Sequence, residues 1–226
     1  ELKYFNKKEI KLLKKYYTNA SGISDNMIFY LSNKIIKYLP KEEYPNLESK
    51  LSAFKEKLKG RREVLSGQIE WFNLQWPRNE EFFKQGDKII CQIRTVRPNF
   101  LFTEQEYYIS RAANVIRSKR INLKYLTVIL NSNLIFFYFK NRGATQGNIL
   151  KFDKGPLLSI PIKIPQNLSR FISLFNELNS EGANQKIVQE IDNLVYRLYQ
   201  LTYEEVKLID SEFSLSKKEY EAIKLK

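Results

Sequence analysis

The spacing of apolar residues in the first part of the chain alternates between helical and extended patterns. Apolar side chains recur at helical spacing over residues 7–17, whereas the run from Met27 to Leu31 is typical of a short strand. From Pro45 onward they recur every three or four residues, which predicts a longer amphipathic helix. The predicted elements are, in order, a helix over 7–17, a strand over 27–31, a brief helix over 33–38 and a helix from Pro45 through Leu58.

The middle of the chain has the pattern of short strands followed by helices. β-Branched and aromatic runs are separated by turn-forming residues, and Asn122 and Ser132 stand where helix N-caps are expected. Pro161 keeps its own segment out of a central sheet position, because proline has no N–H to donate. The predicted elements are strands over 89–93, 100–102, 107–110, 114–116 and 149–152, helices over 123–130 and 134–140, and an extended segment over 157–165.

The remainder of the chain is predicted to be helical. Apolar residues line one face over 168–178 and another over 187–198, and capping boxes begin two further helices at Thr202 and Ser216. The predicted fold class is therefore α+β, with a mixed β-sheet core flanked by helices and followed by a C-terminal helical section. We expect the domain boundary near residue 165, which gives an α/β domain over 1–165 and a helical section over 166–226.

The charge balance favours an anionic partner. The chain of 226 residues has 38 Lys and Arg against 25 Asp and Glu, a net charge of +13. Such a surplus attracts nucleic acid by steering and counterion release, although a lysine-rich composition is also typical of AT-rich genomes. The single Cys91 lies in an apolar run and is predicted to be a small core residue. With no membrane-length apolar run and no signal peptide, we expect a fragment of a longer cytoplasmic protein from a bacterium or archaeon.

The sequence offers no complete catalytic site. It contains no histidine, no glycine-rich phosphate loop and no Pro-Pro motif of the kind with which amino-methyltransferases grip their target amine. The triplet Glu48-Ser49-Lys50 has a spacing found in nucleases, but it falls in a helical pattern and is interpreted as a solvated helix face. We predict no catalytic residue, no metal site and no cofactor site in this chain.

The remaining candidates are residues that could contact a duplex. Arginine suits guanine and phosphate, Asn and Gln suit adenine, and lysine suits phosphate. Trp71 and Trp76 are candidates for stacking on a base, with core packing as the alternative. The candidate base readers are Arg94, Arg97, Asn99, Asn73 and Gln146. The candidate phosphate contacts are Lys55, Lys57, Lys59, Arg61, Arg62, Arg117, Lys119, Arg120, Arg142 and Lys151. Each group could instead be a solvated surface, and residue types alone leave DNA and RNA both open.

An ordered set of stretches over residues 40–210 carries a family resemblance. The stretches are Tyr44–Leu51, Leu58–Glu63, Trp71–Leu74, Lys88–Ile90, Pro98–Ile109, Leu123–Phe139, Leu157–Pro165 and Ile191–Thr202. In this order they resemble the TaqI-like C-terminal specificity domain, the target recognition domain of adenine methyltransferases in restriction–modification and phage-defence systems. No single stretch is diagnostic; the order is what carries the resemblance.

The resemblance implies a role outside catalysis. It implies a domain that reads a short asymmetric site in double-stranded DNA and helps to present a flipped adenine to a methyltransferase domain. That domain, with its AdoMet, would precede Glu1, and a fused nuclease domain is a further option. The expected partners are thus double-stranded DNA and the N-terminal catalytic domain, without a membrane. The alternative is a protein–protein docking module of a DNA-modification or phage-defence complex, which exposed positions among Ile187, Ile191, Leu194 and Leu198 would favour.

Overall fold

A computed structural model describes residues 2–18, 24–182 and 184–225 and divides the chain into two compact units. The first unit comprises residues 1–85 and 105–110, and the second comprises residues 86–104 and 111–226. The helices are α1 (Lys7–Lys11), α2 (Pro45–Ser52), α3 (Lys55–Lys59), α4 (Arg62–Leu65), α5 (Leu123–Asn131), α6 (Asn133–Arg142), α7 (Lys154–Leu158), α8 (Ser169–Glu181), α9 (Gln185–Leu198), α10 (Tyr203–Ile209) and α11 (Lys217–Ala222). The strands are β1 (Leu13–Tyr17), β2 (Met27–Phe29), β3 (Lys88–Gln92), β4 (Arg94–Thr95), β5 (Phe100–Thr103), β6 (Tyr108–Ile109), β7 (Ala113–Ile116), β8 (Ala144–Gln146) and β9 (Ile149–Lys151).

The first unit contains a three-stranded mixed sheet in the order β2-β1-β6. β1 runs antiparallel to β2 and parallel to β6, with Tyr16 opposite Tyr108. The prediction of one helix over residues 7–17 is therefore wrong, because α1 ends at Lys11 and the next residues form the central strand. The apolar residues do recur at helical spacing, but pairing with β2 and with the distant β6 satisfies the backbone of β1 and overrides that pattern.

A buried carboxylate organises the start of this unit. Glu9 closes the capping box of Asn6 on α1, and its side chain also accepts hydrogen bonds from the backbone N–H groups of Asn46 (2.8 Å) and Leu47 (2.9 Å) in the first turn of α2. Burial alone would raise the pKa of Glu9, but the N–H groups of Leu47 and Asn6 and the Asn46 side chain hold it below its usual value. The carboxylate thereby ties α1 to α2.

The helices of the first unit are shorter than predicted. Residues 45–65 form the short helices α2, α3 and α4 instead of one long helix, and residues 33–38 form a turn. Phe54, predicted to lie on the apolar face, is exposed at the break before α3. Gly60 ends α3. Only Leu47 is buried on α2, so little apolar burial supports a longer helix.

The core of the second unit lies between an antiparallel sheet and helices. The sheet has the order β5-β3-β7, and α5 is buried along nearly its whole length. Asn122 caps α5 and Ser132 caps α6, which confirms both predicted N-caps. Cys91 is buried on β3, as predicted, and burial raises the pKa of its thiol to about 12.

A second small sheet in this unit has the order β4-β9-β8. The α+β class is confirmed, but the predicted central sheet is three sheets of three strands each within the described residues. The predicted extended segment over 157–165 is only partly extended, because Lys154–Leu158 forms α7. Pro156 lies in the first turn of α7, where its missing N–H is not needed.

The C-terminal region is helical, as predicted. Both capping boxes are present, with Thr202 paired to Glu205 and Ser216 paired to Glu219. Residue 165 lies inside the second compact unit, so these units divide the chain differently from the predicted boundary. The domain boundary expected near residue 165 therefore stays a prediction.

Gly143 connects α6 to β8 at a point with no room for a side chain. A Cβ there would lie 2.5 Å from the Phe139 carbonyl oxygen and 2.7 Å from Cδ1 of the Phe139 ring, which is fully buried. We expect Gly143→Ala to lower the free energy of unfolding by about 2 kcal/mol, because the core must shift to accept the methyl group. Urea unfolding measures the change.

Gly155→Ala is the matched control, since nothing lies within 4 Å of a Cβ at Gly155. We expect a change within about 0.5 kcal/mol for this variant. Equal effects of the two substitutions would contradict the close-approach explanation for Gly143.

Candidate nucleic-acid interface

The register of the β4-β9-β8 sheet places several candidate residues on one face. Arg94 is opposite Lys151, and Gln146 is opposite Ile149. Directly opposite residues share a face, and successive residues alternate. Because Leu150 is buried, its neighbours Lys151 and Ile149 lie on the outer face together with Arg94 and Gln146. We call these four residues the basic face.

The two cations of the basic face have no ion-pair partner in the part of the chain that the structure describes. Arg94 is exposed and Lys151 half-buried, and among the described residues neither forms an ion pair. Like charges directly opposite each other across a strand pair are destabilising. An anion bound on this face would relieve the repulsion, so the arrangement is typical of a phosphate-binding surface.

The hairpin between β8 and β9 presents Gln146 beside these cations. Its two-residue turn begins with Gly147, whose φ of +59° is what the first central position of a type II′ turn requires. Nothing lies within 4 Å of a Cβ at Gly147, and Gln146 is exposed. The tip of this hairpin can therefore approach a ligand closely.

Arg97 lies on the connection between β4 and β5, and its side chain is held on α6. Its guanidinium carbon is 4.5 Å from the centre of the Phe136 ring, and Nη2 donates a hydrogen bond of 2.7 Å to Oδ1 of Asn133. Arg97 is still exposed. Asn99, half-buried, is followed by Phe100, whose backbone N–H and C=O both pair with the Asn131 side chain.

Below Arg97 lies a buried carboxylate. Asp192 on α9 is 4% exposed, and its Oδ1 accepts a hydrogen bond of 2.7 Å from the backbone N–H of Asn133. Burial, together with the negative charge of Asp210, raises the pKa of Asp192 to about 7, against the opposing effects of the Asn133 N–H and of Arg97. A cavity of about 270 Å³ is lined by Arg97, Asn133 and Asp192, among others.

Two candidate residues of the first unit have structural roles. Asn73 is 2% exposed; its Nδ2 donates to the carbonyls of Leu31 and Ile36. Arg61 donates from Nη2 to the carbonyls of Trp71 (2.6 Å) and Asn73 (2.9 Å) and from Nε to that of Leu58. The burial of Asn73 argues against the suggestion that it reads a base. Arg61 is half-buried, and the suggestion that it holds a phosphate stays a prediction.

The other candidates of the first unit are more accessible. Trp71 is half-buried, with Lys55 Nζ 5.1 Å from the centre of its ring, which favours the packing alternative for this tryptophan. Trp76 is 61% exposed and remains a candidate for stacking. Lys57 is exposed and unpaired within the described ranges, whereas Lys59 pairs with Glu56 and Arg62 with Glu63.

The remaining cations lie in the second unit at the ends of elements. Arg117, after β7, is half-buried and donates to the carbonyl of Gly86. Lys119 and Arg120 are exposed in the connection to α5, and Arg142 is exposed at the last turn of α6. The register thus unites Arg94, Gln146 and Lys151, but it does not gather the other candidates into that face. Asn133, Phe136 and Asp192 were absent from the predicted set.

The described parts of the chain contain no group of three or more His, Cys, Asp or Glu residues arranged to hold a metal ion. None of the helices described in the structure has the length and hydropathy needed to cross a membrane.

Comparison with known proteins identifies the family. The model of the TaqI-like C-terminal specificity domain matches residues 5–162. The chain is 28% identical over 172 residues to the type II methyltransferase M.HincII of Haemophilus influenzae, which covers 72% of this chain and 31% of the relative. It is also 28% identical over 188 residues to the type II methyltransferase M.HindII of Haemophilus influenzae strain Rd, covering 79% and 32%. The chain thus spans about a third of the length of these relatives.

The fold also has a relative of known structure. The type IIL restriction–modification enzyme MmeI, solved in complex with DNA, matches with a TM-score of 0.58 at 12% identity over 95% of this chain and 30% of MmeI. Fold and family match together define a specificity domain of the kind found in type II restriction–modification methyltransferases. Within that class, the chain belongs to the TaqI-like C-terminal specificity domain family.

Proposed function

We propose that this chain is the sequence-reading domain of a restriction–modification DNA adenine methyltransferase and that it binds double-stranded DNA through the basic face. The observation that carries the proposal is the register that sets Arg94 opposite Lys151 beside Gln146, on an outer sheet face where neither cation forms an ion pair with another described residue. Arginine and lysine can hold phosphates there, while arginine and glutamine can reach base edges. The family match and the DNA-bound fold relative support the proposal.

The methylation itself belongs to a catalytic domain of the same protein. The sequence contains neither a glycine-rich loop nor a Pro-Pro-aromatic motif, so AdoMet and the flipped adenine would be held outside this chain. The domain would orient the duplex for that partner and work in the cytoplasm of a bacterium or archaeon. A nuclease fused to the same protein would cut under the same specificity.

The test is a titration of the chain against a pool of randomised duplexes, with the bound DNA sequenced at about 50 mM and about 200 mM salt. We expect salt-sensitive binding and enrichment of one short asymmetric motif. Binding without enrichment would assign phosphate docking to this chain and place sequence reading elsewhere. A lack of binding at both salt concentrations would contradict the proposal.

The docking alternative is favoured by a different surface from the one expected. Ile187, Ile191, Leu194 and Leu198 are all buried, so they cannot provide an exposed docking face. An apolar groove of about 410 Å³ in the second unit is instead lined by residues of α6 and α10, including the exposed Leu208. If the chain fails to bind DNA, this groove is the candidate contact for the catalytic domain.

A further inference from the structure

The connection between β4 and β5 is fixed at both ends, which restricts where Arg97 can point. At one end, Thr95 Oγ1 donates a hydrogen bond of 2.8 Å to the carbonyl of Arg97. At the other end, the Asn131 side chain accepts from the Phe100 N–H (2.9 Å) and donates to the Phe100 carbonyl (2.8 Å). The backbone that carries Arg97 is therefore held by side chains from β4 and α5.

The side chain of Arg97 is oriented by α6. Phe136 supports one face of the guanidinium, and Asn133 accepts from Nη2. An arginine offers several N–H donors in a planar fork, and stacking leaves the edges of that fork accessible. The exposed guanidinium thus keeps donors for a ligand while its rotamer is already set.

The position of Asn133 is in turn fixed by a contact with α9. Its backbone N–H, in the first turn of α6, donates to the buried carboxylate of Asp192 on α9. This contact leaves the Asn133 side chain directed to Arg97 and places a carboxylate near the guanidinium. A base-reading side chain needs such support, because a small misplacement costs specificity.

We propose that Asn133 and Phe136, supported by Asp192, are positioning residues that pre-orient Arg97 to read a guanine in the major groove. The inference rests on the proposed function and deepens it, since it names the reading residue, its support and the base that it selects. The chemistry is the bidentate contact of a guanidinium with O6 and N7 of guanine. A phosphate contact by the same guanidinium would carry no base preference, so selection from a randomised pool distinguishes the two.

The test compares variants by selection from the randomised duplex pool. We expect Arg97→Lys to keep the positive charge and the salt dependence but to lower the preference for G·C at one position by about tenfold. Asn133→Ala should lower the same preference by about threefold to tenfold and leave the other positions unchanged. Asn133→Asp keeps an acceptor for Arg97 and should restore most of the preference.

Asn141→Ala is the matched control, an exposed asparagine on the same helix whose Nδ2 donates a hydrogen bond to the Phe137 carbonyl. We expect the control to retain the full motif, and thermal unfolding reports whether each variant is folded. A uniform loss at all positions in Asn133→Ala, not restored in Asn133→Asp, would assign Asn133 a merely structural role and overturn the inference.

Failure of the inference and of the proposed function are distinguishable. If the wild-type chain selects a motif and Arg97→Lys leaves every position of it unchanged, the inference is wrong and the proposed function stands. If the wild-type chain binds no duplex, the proposed function fails and the inference fails with it.

Discussion

We expect the replacement of Arg94 and Lys151 together by alanine to lower the affinity of the chain for duplex DNA on the order of a hundredfold at about 50 mM salt. The two cations lie opposite each other on one exposed sheet face. Each phosphate contact contributes about 0.9 to the slope of log K against log salt, so the slope should fall by about two. Fluorescence anisotropy titrations at several salt concentrations measure both quantities.

The matched control is Lys186→Ala with Lys218→Ala. Both lysines are exposed in the same compact unit, on α9 and α11, and the control removes the same charge. We expect it to weaken binding much less than the first double variant, since neither lysine lies on the basic face. Equal losses in the two double variants would mean that net charge, and not the basic face, governs affinity.

The same substitution should not cost stability. Arg94 and Lys151 repel each other across β4 and β9, and their removal relieves that repulsion. We expect the thermal midpoint of the double alanine variant to equal or exceed that of the wild type. Loss of function at unchanged or greater stability is what distinguishes a binding residue from a structural one.

The elements that the sequence predicted correctly are those defined by local signals. The caps at Asn122 and Ser132 and the capping boxes at Thr202 and Ser216 are decided by residues three positions apart, and all four are present. The prediction of one helix over residues 7–17 failed because residues 13–17 pair with two other strands, β2 and the distant β6. Their local periodicity could not report that pairing.

The candidate site was predictable residue by residue but not as an arrangement. Arg94 and Gln146 were chosen for their chemistry; their shared face depends on the pairing of β9 with both β4 and β8. Asn73 was chosen by the same rule, yet an amide suits backbone carbonyls as well as adenine, and burial decides between them. Residue type cannot show which use prevails.

Little in the sequence indicated that Asn133, Phe136 and Asp192 would contact or support Arg97. Ser132 marked the start of α6, which places Asn133 in the first turn, where a carboxylate is a favoured partner. Asp192 lay in a predicted helix, and nothing in the sequence indicated that it would contact the first turn of α6. Only the packing of α6 against α9 brings Asp192 to Asn133, and only the β4–β5 connection brings Arg97 to both.

Asp192→Asn should make the chain more stable at neutral and alkaline pH, by about 4 kcal/mol. Because burial raises the pKa of Asp192 to about 7, the folded chain keeps a proton that the unfolded chain has already lost. The free energy of unfolding of the wild type therefore falls as pH rises from about 4 to about 7 and levels off above that range. Asparagine does not titrate, and its Oδ1 can still accept from the Asn133 N–H.

Urea unfolding of both proteins across this pH range measures the difference, which should vanish near pH 4 and grow to its full value near pH 7. Asp153→Asn is the control, which removes a carboxylate from an exposed residue before α7 that makes no side-chain capping bond. An equally large pH-dependent difference in this control would contradict the explanation by burial of Asp192. A constant difference for Asp192→Asn would mean that Arg97 keeps the carboxylate ionised throughout. Asp192 is thus expected to cost stability at neutral pH, and it lies next to Arg97, the arginine proposed to read DNA. A cost of this kind is expected of a site selected for function rather than for stability.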